Sequence, residues 1–462
     1  MRPLRSTAMD SPGEMAAPGP DREAGVARWP GYLAPLELDG ERLVQPQYAG
    51  LGLANVAPTV LDLLAGPTPD CPLPALDERA LPRALTQGAR TVVLLVADGL
   101  GHLQLLREVA AGNAPTLARL LALAARGDGC ARYSAITSVF PTTTVAALGS
   151  LNSGEAPTGH GLLGYTLRLG EFGTVAEMVR WGPLGQRGSF SDPEHGGASP
   201  ERFFWAESVY RRLQAASVAR TVAVNPSSFA GTALTRMLHQ GAEYHGYVAT
   251  SSVSVIVARL LREAARPGYI YAYWPTVDAV THVLGPGSEE HGAEVAALDQ
   301  GLRRLLERGP GDGDTLLLLT ADHGHIDTSA EQQVLLNDYP DLLELLAAYP
   351  AGERRAVYLH AQPGQAAALE ARARERLGGM AVVLSREEAV GLGLYGPGPL
   401  PTRAAARVGD VLLLPRGNLQ FAFELPEGAG PAGAQPPKPP FCGLHGGLTP
   451  EEALVPLLAV RL

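Results

Sequence analysis

TVVLLVADG, residues 91–99, decides how the chain is read. The run of valine, leucine and alanine has no charged break, the pattern of a strand buried on both faces of a sheet. It ends on Asp98, and Gly99 then lets the backbone turn close to whatever the carboxylate holds. The carboxyl end of a buried strand is where open α/β sheets hold their ligands. Taken alone, Asp98 is equally well explained as the N-cap of the next helix.

The same pattern recurs downstream. LLLLTADHGH (316–325) is another apolar run that stops on Asp322 and His323, and YIYAYWPTVDAVTH (269–282) is a third that leads into Asp278 and His282. ARYSAIT (131–137) and SVARTVAV (217–224) read as further strands. Between them, APTLARLLALAAR (114–126) and EEHGAEVAALDQGLRRLLER (289–308) carry helical periodicity, and Thr142–Ser153 reads as a helix opened by threonine caps. Alternating strands and helices predict an α/β fold with a doubly wound, mostly parallel sheet.

Four segments follow from composition. Residues 1–30 have the character of a disordered tail, and 31–349 form the α/β core with one short helix near Thr59–Leu64. Residues 350–435 read as a small α/β insertion containing RRAVYLHA, a helix in QAAALEARARERL, MAVVL and GDVLLLP. Residues 436–462 complete the core and carry His445; the Pro/Gly loop 428–440 leads in, and the final PEEALVPLLAVRL reads as a terminal helix.

The chain has 462 residues, 46% of them hydrophobic, enough for a large core, and a formal charge of -10. That acidity disfavours a nucleic-acid-binding surface. No apolar run is long enough to span a membrane, and the N-terminus lacks the apolar core of a signal peptide. Cys71, Cys130 and Cys442 form no disulfide framework, so the expected location is cytoplasmic.

Each site residue has a plain structural reading. Asp278 and His282 are four apart and share a helix face, but that spacing is common on solvated helices. Asp322 and His323 can reach one ion if the chain turns after the strand, or can belong to a capped loop. His445, between glycines in FCGLHGG, is by itself an ordinary loop histidine. Thr144 is a candidate nucleophile because a helix N-terminus favours an anionic oxygen there; plain capping by Thr142 or Thr143 is the alternative reading of this triplet. Together the set supplies carboxylates and imidazoles suited to a pair of divalent ions.

In this order, the motifs resemble the alkaline phosphatase superfamily, and within it the type I phosphodiesterase/nucleotide pyrophosphatase family, over roughly residues 85–462. The resemblance implies one ion held by Asp278, His282 and His445, and another by Asp98, Asp322 and His323, with Thr144 beside it. Zinc is its default metal and manganese the alternative. It implies a small-molecule phosphodiester or nucleotide substrate, cleaved through the threonine in line with phosphorus. Thr144 is preferred to Thr143 because it precedes the helix-ending Gly154 by ten positions, as the family nucleophile does.

The chain departs from the family pattern in two places. Phe140-Pro141 precede the threonines, where the family often has Thr-Phe-Pro-Asn. After the His160-Gly161 pair, Tyr165 stands where the family often has a phosphoryl-binding asparagine, which makes it the candidate substrate-binding residue. Phe140, Tyr165 and Trp181 are candidate pocket aromatics, with core packing expected for at least two of them. No Cys/Ser-x-Pro-x-Arg sulfatase motif occurs at the nucleophile, and no arginine lies between Thr142 and Gly154 to grip a monoester dianion. A phosphomonoesterase of the same superfamily and a silent metal-binding homologue remain as alternatives.

Overall fold

The computed structural model describes residues 22–23, 26–67, 71–127, 129–263, 268–311, 313–426 and 441–462. Most of the tail and the whole Pro/Gly loop 428–440 lie outside these residues.

Its centre is a seven-stranded sheet. From one edge the order is Glu243–Tyr247, Arg220–Pro226, Gly268–Trp274, Thr91–Ala97, Thr315–Thr320, Leu454–Arg461 and Ala131–Thr137. All run the same way except Leu454–Arg461, which is antiparallel to both neighbours. The mostly parallel sheet expected from the sequence is therefore present. Every residue of Thr91–Ala97, Gly268–Trp274 and Thr315–Thr320 is buried, and each fully buried Val or Leu side chain stabilises the fold by roughly 1.5–3 kcal/mol.

The reading of the C-terminus as a helix is corrected. Only Pro450–Ala453 is helical, and Leu454–Arg461 is a strand in the sheet interior. Seven of its eight residues are buried, so neither face has the polar stripe that a surface helix would show.

This strand also explains how His445 reaches the site. Being antiparallel, it starts at the edge where the parallel strands finish: Leu454 lies opposite Thr137, and Leu457 opposite Thr320. The loop that precedes it is delivered to the ligand-binding edge.

A second sheet, antiparallel throughout, orders as Ala381–Ser385, Val411–Pro415, Ala356–Leu359, Ala351–Glu353, Thr166–Leu169, Thr174–Glu177 and Gly182–Pro183. Strands from residues 351–415 thus continue into strands from 166–183. Among the described residues, no helix is long and apolar enough to cross a membrane.

Candidate metal centre and catalytic cleft

Three adjacent parallel strands end level with one another, Trp274 opposite Ala97 and Thr320 opposite Val96. Their extensions carry Asp98, the Asp278 helix (Thr276–Leu284) and the Asp322–His325 turn. The turn is tight because Asp322 Oδ1 accepts the backbone N–H groups of Gly99 and His323, each at 3.0 Å. Gly99 has φ +73°, and a Cβ on it would meet His325 Cε1 at 2.5 Å. A side chain there would close the space between the two turns.

Asp98, Asp278, His282, Asp322, His323 and His445 are brought together at this edge. His323 Nε2 lies 3.6 Å from Asp98 Oδ1 and 3.5 Å from Asp322 Oδ2. Asp278 Oδ1 lies 3.3 Å from His282 Nε2 and 3.8 Å from His445 Nε2. The His323 and His445 rings stack at 3.7 Å between centroids. Backbone carbonyls orient two of the rings: His282 Nδ1 donates to Gly443 O at 2.8 Å, and His445 Nδ1 to Thr142 O at 2.9 Å. Both Nε2 atoms then remain to serve as electron-pair donors.

Whether these residues suit divalent ions can be tested on their hydrogen bonding. Asp98 Oδ1, Asp278 Oδ1, Asp322 Oδ2 and His325 Nε2 are buried and make no hydrogen bond. Buried carboxylate oxygens without partners are costly unless a cation satisfies them. Ligand atoms from Asp98, Asp322 and His323 lie within 4.8 Å of one another, as do those from Asp278, His323, His325 and His445. The donor set fits a pair of divalent cations.

Electrostatics agree. Burial, reinforced by the charges of Asp322 and Asp278, pushes the Asp98 carboxyl well above its ordinary range, and Tyr273 donates its hydroxyl to Asp98 Oδ2. Burial would raise Asp278 too, but His282, His325 and His445 outweigh it and hold that carboxyl low. Burial works against protonation of His282, His323 and His445 while the charge of Asp278 works for it, and the net shift of all three rings is downward, towards the form that ligates.

The three threonines occupy different places. Thr142 clamps the His445 loop: its Oγ1 donates to Gly447 O at 2.8 Å and accepts from Gly446 N at 3.0 Å. Thr143 is the N-cap residue, with φ -130° and ψ 144° and no side-chain capping bond. Thr144 opens the ten-residue helix Thr144–Ser153, and its Oγ1 lies 3.2 Å from His323 Nε2.

All of this borders a cleft of about 970 Å³, lined in part by Asp98, Thr144, Tyr165, Asp278, His282, Glu353, Arg354 and His445. Tyr165 is on the wall, and its phenol is pushed up to about 12 by desolvation, then by Glu177 and Glu353. Its backbone N–H donates to Glu353 Oε1 at 2.7 Å. Phe140 and Trp181 are fully buried, and Trp181 packs against Phe172, Phe190 and Phe203, so these two are core residues. His160 is also structural, pairing with Ser150 Oγ at 3.0 Å.

Sequence reasoning left three groups without a role. His325 Nε2 lies 3.1 Å from Asp278 Oδ1; its place in DHGH, two residues beyond His323, was the available signal. Tyr273 points to the site because it alternates along its strand with residues of the other face. Glu353 arrives from the second sheet, and no local motif announces it.

A doubly wound sheet with carboxylates and imidazoles gathered at its carboxyl edge defines an alkaline-phosphatase-like fold. Two solved structures share it: murine ectonucleotide pyrophosphatase/phosphodiesterase 5 (TM-score 0.56, 17% identity, covering 79% of this chain and 87% of that one), and phosphonoacetate hydrolase from Sinorhizobium meliloti 1021 in complex with phosphonoacetate (TM-score 0.57, 17% identity, 93% and 94%). An inactive form of the murine protein has been solved with AMP (TM-score 0.55, 16% identity, 79% and 87%). No curated protein matches the sequence. The family model for type I phosphodiesterase/nucleotide pyrophosphatase matches residues 92–446, and the chain belongs to that family. Membership indicates a phosphohydrolase of the phosphodiesterase/pyrophosphatase type.

Proposed function

We propose that this protein is a metal-dependent phosphodiesterase that hydrolyses small-molecule phosphodiester or pyrophosphate bonds through Thr144. The observation that carries the reading is the set of buried carboxylate oxygens Asp98 Oδ1, Asp278 Oδ1 and Asp322 Oδ2, none of which a hydrogen bond satisfies, beside a hydroxyl at a helix N-terminus. Asp278, His282 and His445 would hold one divalent ion; Asp98, Asp322 and His323 would hold the other, with Thr144 beside it. Zinc suits the mixed His/Asp set, and manganese is the alternative. When bound, such ions supply Lewis-acid neutralisation of phosphoryl charge and lower the pKa of an attached hydroxyl or water.

The protein's own groups then act as follows. Thr144 Oγ attacks phosphorus, and the Thr144–Ser153 helix directs its N-terminal dipole at the developing negative charge. The ester oxygen opposite leaves, and water then cleaves the phosphorylated threonine. Thr142 holds the His445 loop, and the turn at Gly99 keeps Asp98 and Asp322 in fixed relation, so the geometry is set before substrate arrives. Tyr165, on the cleft wall, contacts the bound substrate.

The test is hydrolysis of bis-p-nitrophenyl phosphate with and without zinc or manganese. Metal-dependent release is expected, with a loss of at least about a thousandfold in Thr144→Ala, which retains its metal. Near-native turnover by Thr144→Ala would remove the threonine from the reaction. Release from p-nitrophenyl phosphate alone would make the protein a monoesterase.

A further inference from the structure

Away from the ligand cluster, the cleft is short of positive charge. Among the described residues lining it there is no lysine, and Arg354 is the one arginine. The chain's single lysine, Lys438, lies outside the described residues. Arg354 is already engaged: its Nη1 donates to Gln333 Oε1 at 3.0 Å and Gln420 Oε1 at 2.8 Å, and the guanidinium lies 5.3 Å from the Phe441 ring centroid.

Two further carboxylates line the same space, Glu353 and Glu177. Strand pairing brings them to one wall, because Thr166 lies opposite Glu177 on one side and Gly352 on the other. Glu353 Oε1 is fixed by the Tyr165 N–H at 2.7 Å, and Glu177 Oε2 accepts from Arg180 Nε at 2.8 Å. Leu148, Val179, Leu184, Phe229, Leu234 and Leu238 give the cleft an apolar wing. Val179 and Phe229 are 42% and 39% exposed, so this surface is open to a ligand.

A pyrophosphate or polyphosphate brings negative charge beyond the phosphorus under attack, and each added group needs cationic donors. Beyond the proposed ion sites this cleft offers the Glu353 carboxylate, which repels such a group, and Glu177, whose charge Arg180 partly offsets, while the wing favours an apolar ester group. We infer that the cleft selects a diester with a single phosphorus and an apolar organic group, and that Glu353, with Glu177 beside it, is the specificity-determining residue that turns away a second phosphate. The inference rests on the phosphodiesterase reading above.

The experiment measures kcat/KM of the metal-loaded protein at pH 8 for bis-p-nitrophenyl phosphate and diadenosine tetraphosphate. The wild type is expected to favour the single-phosphorus ester by a hundredfold or more. Glu353→Gln should raise the rate for the tetraphosphate relative to the simple ester by at least tenfold; a merely structural role would move both alike. Glu177→Gln should shift the same ratio in the same direction, and it carries the test if Glu353→Gln does not fold. A wild-type preference for the tetraphosphate that is lost in Arg354→Gln would overturn the inference, by showing Arg354 to be a second phosphate site. An unchanged ratio in both glutamate variants would overturn it as well. Release from neither substrate would overturn the phosphodiesterase reading itself, and the inference with it.

Discussion

Glu452→Ala should cost far more than an ordinary carboxylate truncation. Glu452 is 0% exposed and its partner Arg355 1%. Two parallel bonds join them, Arg355 Nη2 to Glu452 Oε2 at 2.9 Å and Nε to Oε1 at 3.2 Å. The same carboxylate accepts the Gly447 N–H at 2.8 Å and the Thr449 hydroxyl at 2.8 Å. It thus ties the strand-connecting Arg355 to the loop that carries His445. Removing it leaves a buried guanidinium without its counter-charge, which costs about 3–5 kcal/mol, and takes away one of the two anchors of the Gly446–Gly447 segment behind His445. Urea denaturation of the metal-free protein should show that loss, and zinc affinity should fall because the His445 loop then rests on Thr142 alone. Arg355→Leu/Glu452→Leu removes both charges and should recover at least about 1 kcal/mol over the single variant. A loss below about 1 kcal/mol in Glu452→Ala, or a double variant worse than the single by the full cost of Arg355, would refute the reasoning.

Three further outcomes are expected. Zinc at a thousand times its dissociation constant should stabilise the wild type by about 4 kcal/mol, and Asp322→Ala should lose that gain in a thermal melt. Gly99→Ala should cost about 2 kcal/mol or more and weaken metal binding, since φ is +73° and the new Cβ would meet His325 at 2.5 Å; a neutral substitution would contradict the packing of the two turns. Burial holds His160 neutral with its pKa at about 3, against an ordinary value of 6.5. The unfolded chain therefore takes up a proton that the folded chain refuses, and stability falls as pH drops from 6.5 towards 3. His160→Gln should flatten that acid limb, and an equally steep limb would show that His160 does not contribute to it.

The sheet was legible wherever a strand is buried on both faces and ends on a ligand, as at Thr91–Asp98 and Thr315–Asp322, because the apolar run and the terminal carboxylate mark both its interior and its edge. The last strand was not: PEEALVPLL opens with good helix formers, and only sheet pairing with Ala131–Thr137 and Thr315–Thr320 decides between the two forms. At the site, Asp98, Asp278, His282, Asp322, His323 and His445 were each named from local pattern, and chain order joined them. Glu353 was invisible because its place beside Tyr165 depends on pairing between strands almost two hundred residues apart. In the threonine triplet, the ten-position spacing to Gly154 favoured Thr144; hydrogen bonding adds that Thr142 is bound to the Gly446–Gly447 loop while Thr144 lies within reach of His323.

A threonine nucleophile passes through a covalent phosphoryl-threonine, and trapping that species on Thr144 decides whether the hydroxyl takes part. Metal-loaded protein turning over bis-p-nitrophenyl phosphate would be quenched in acid, digested and sequenced by mass spectrometry. A p-nitrophenyl phosphoryl group is expected on Thr144, and none on the triplet of Thr144→Ala. The same group on Thr143, or an unmodified threonine triplet during a measured burst of p-nitrophenolate, would contradict it.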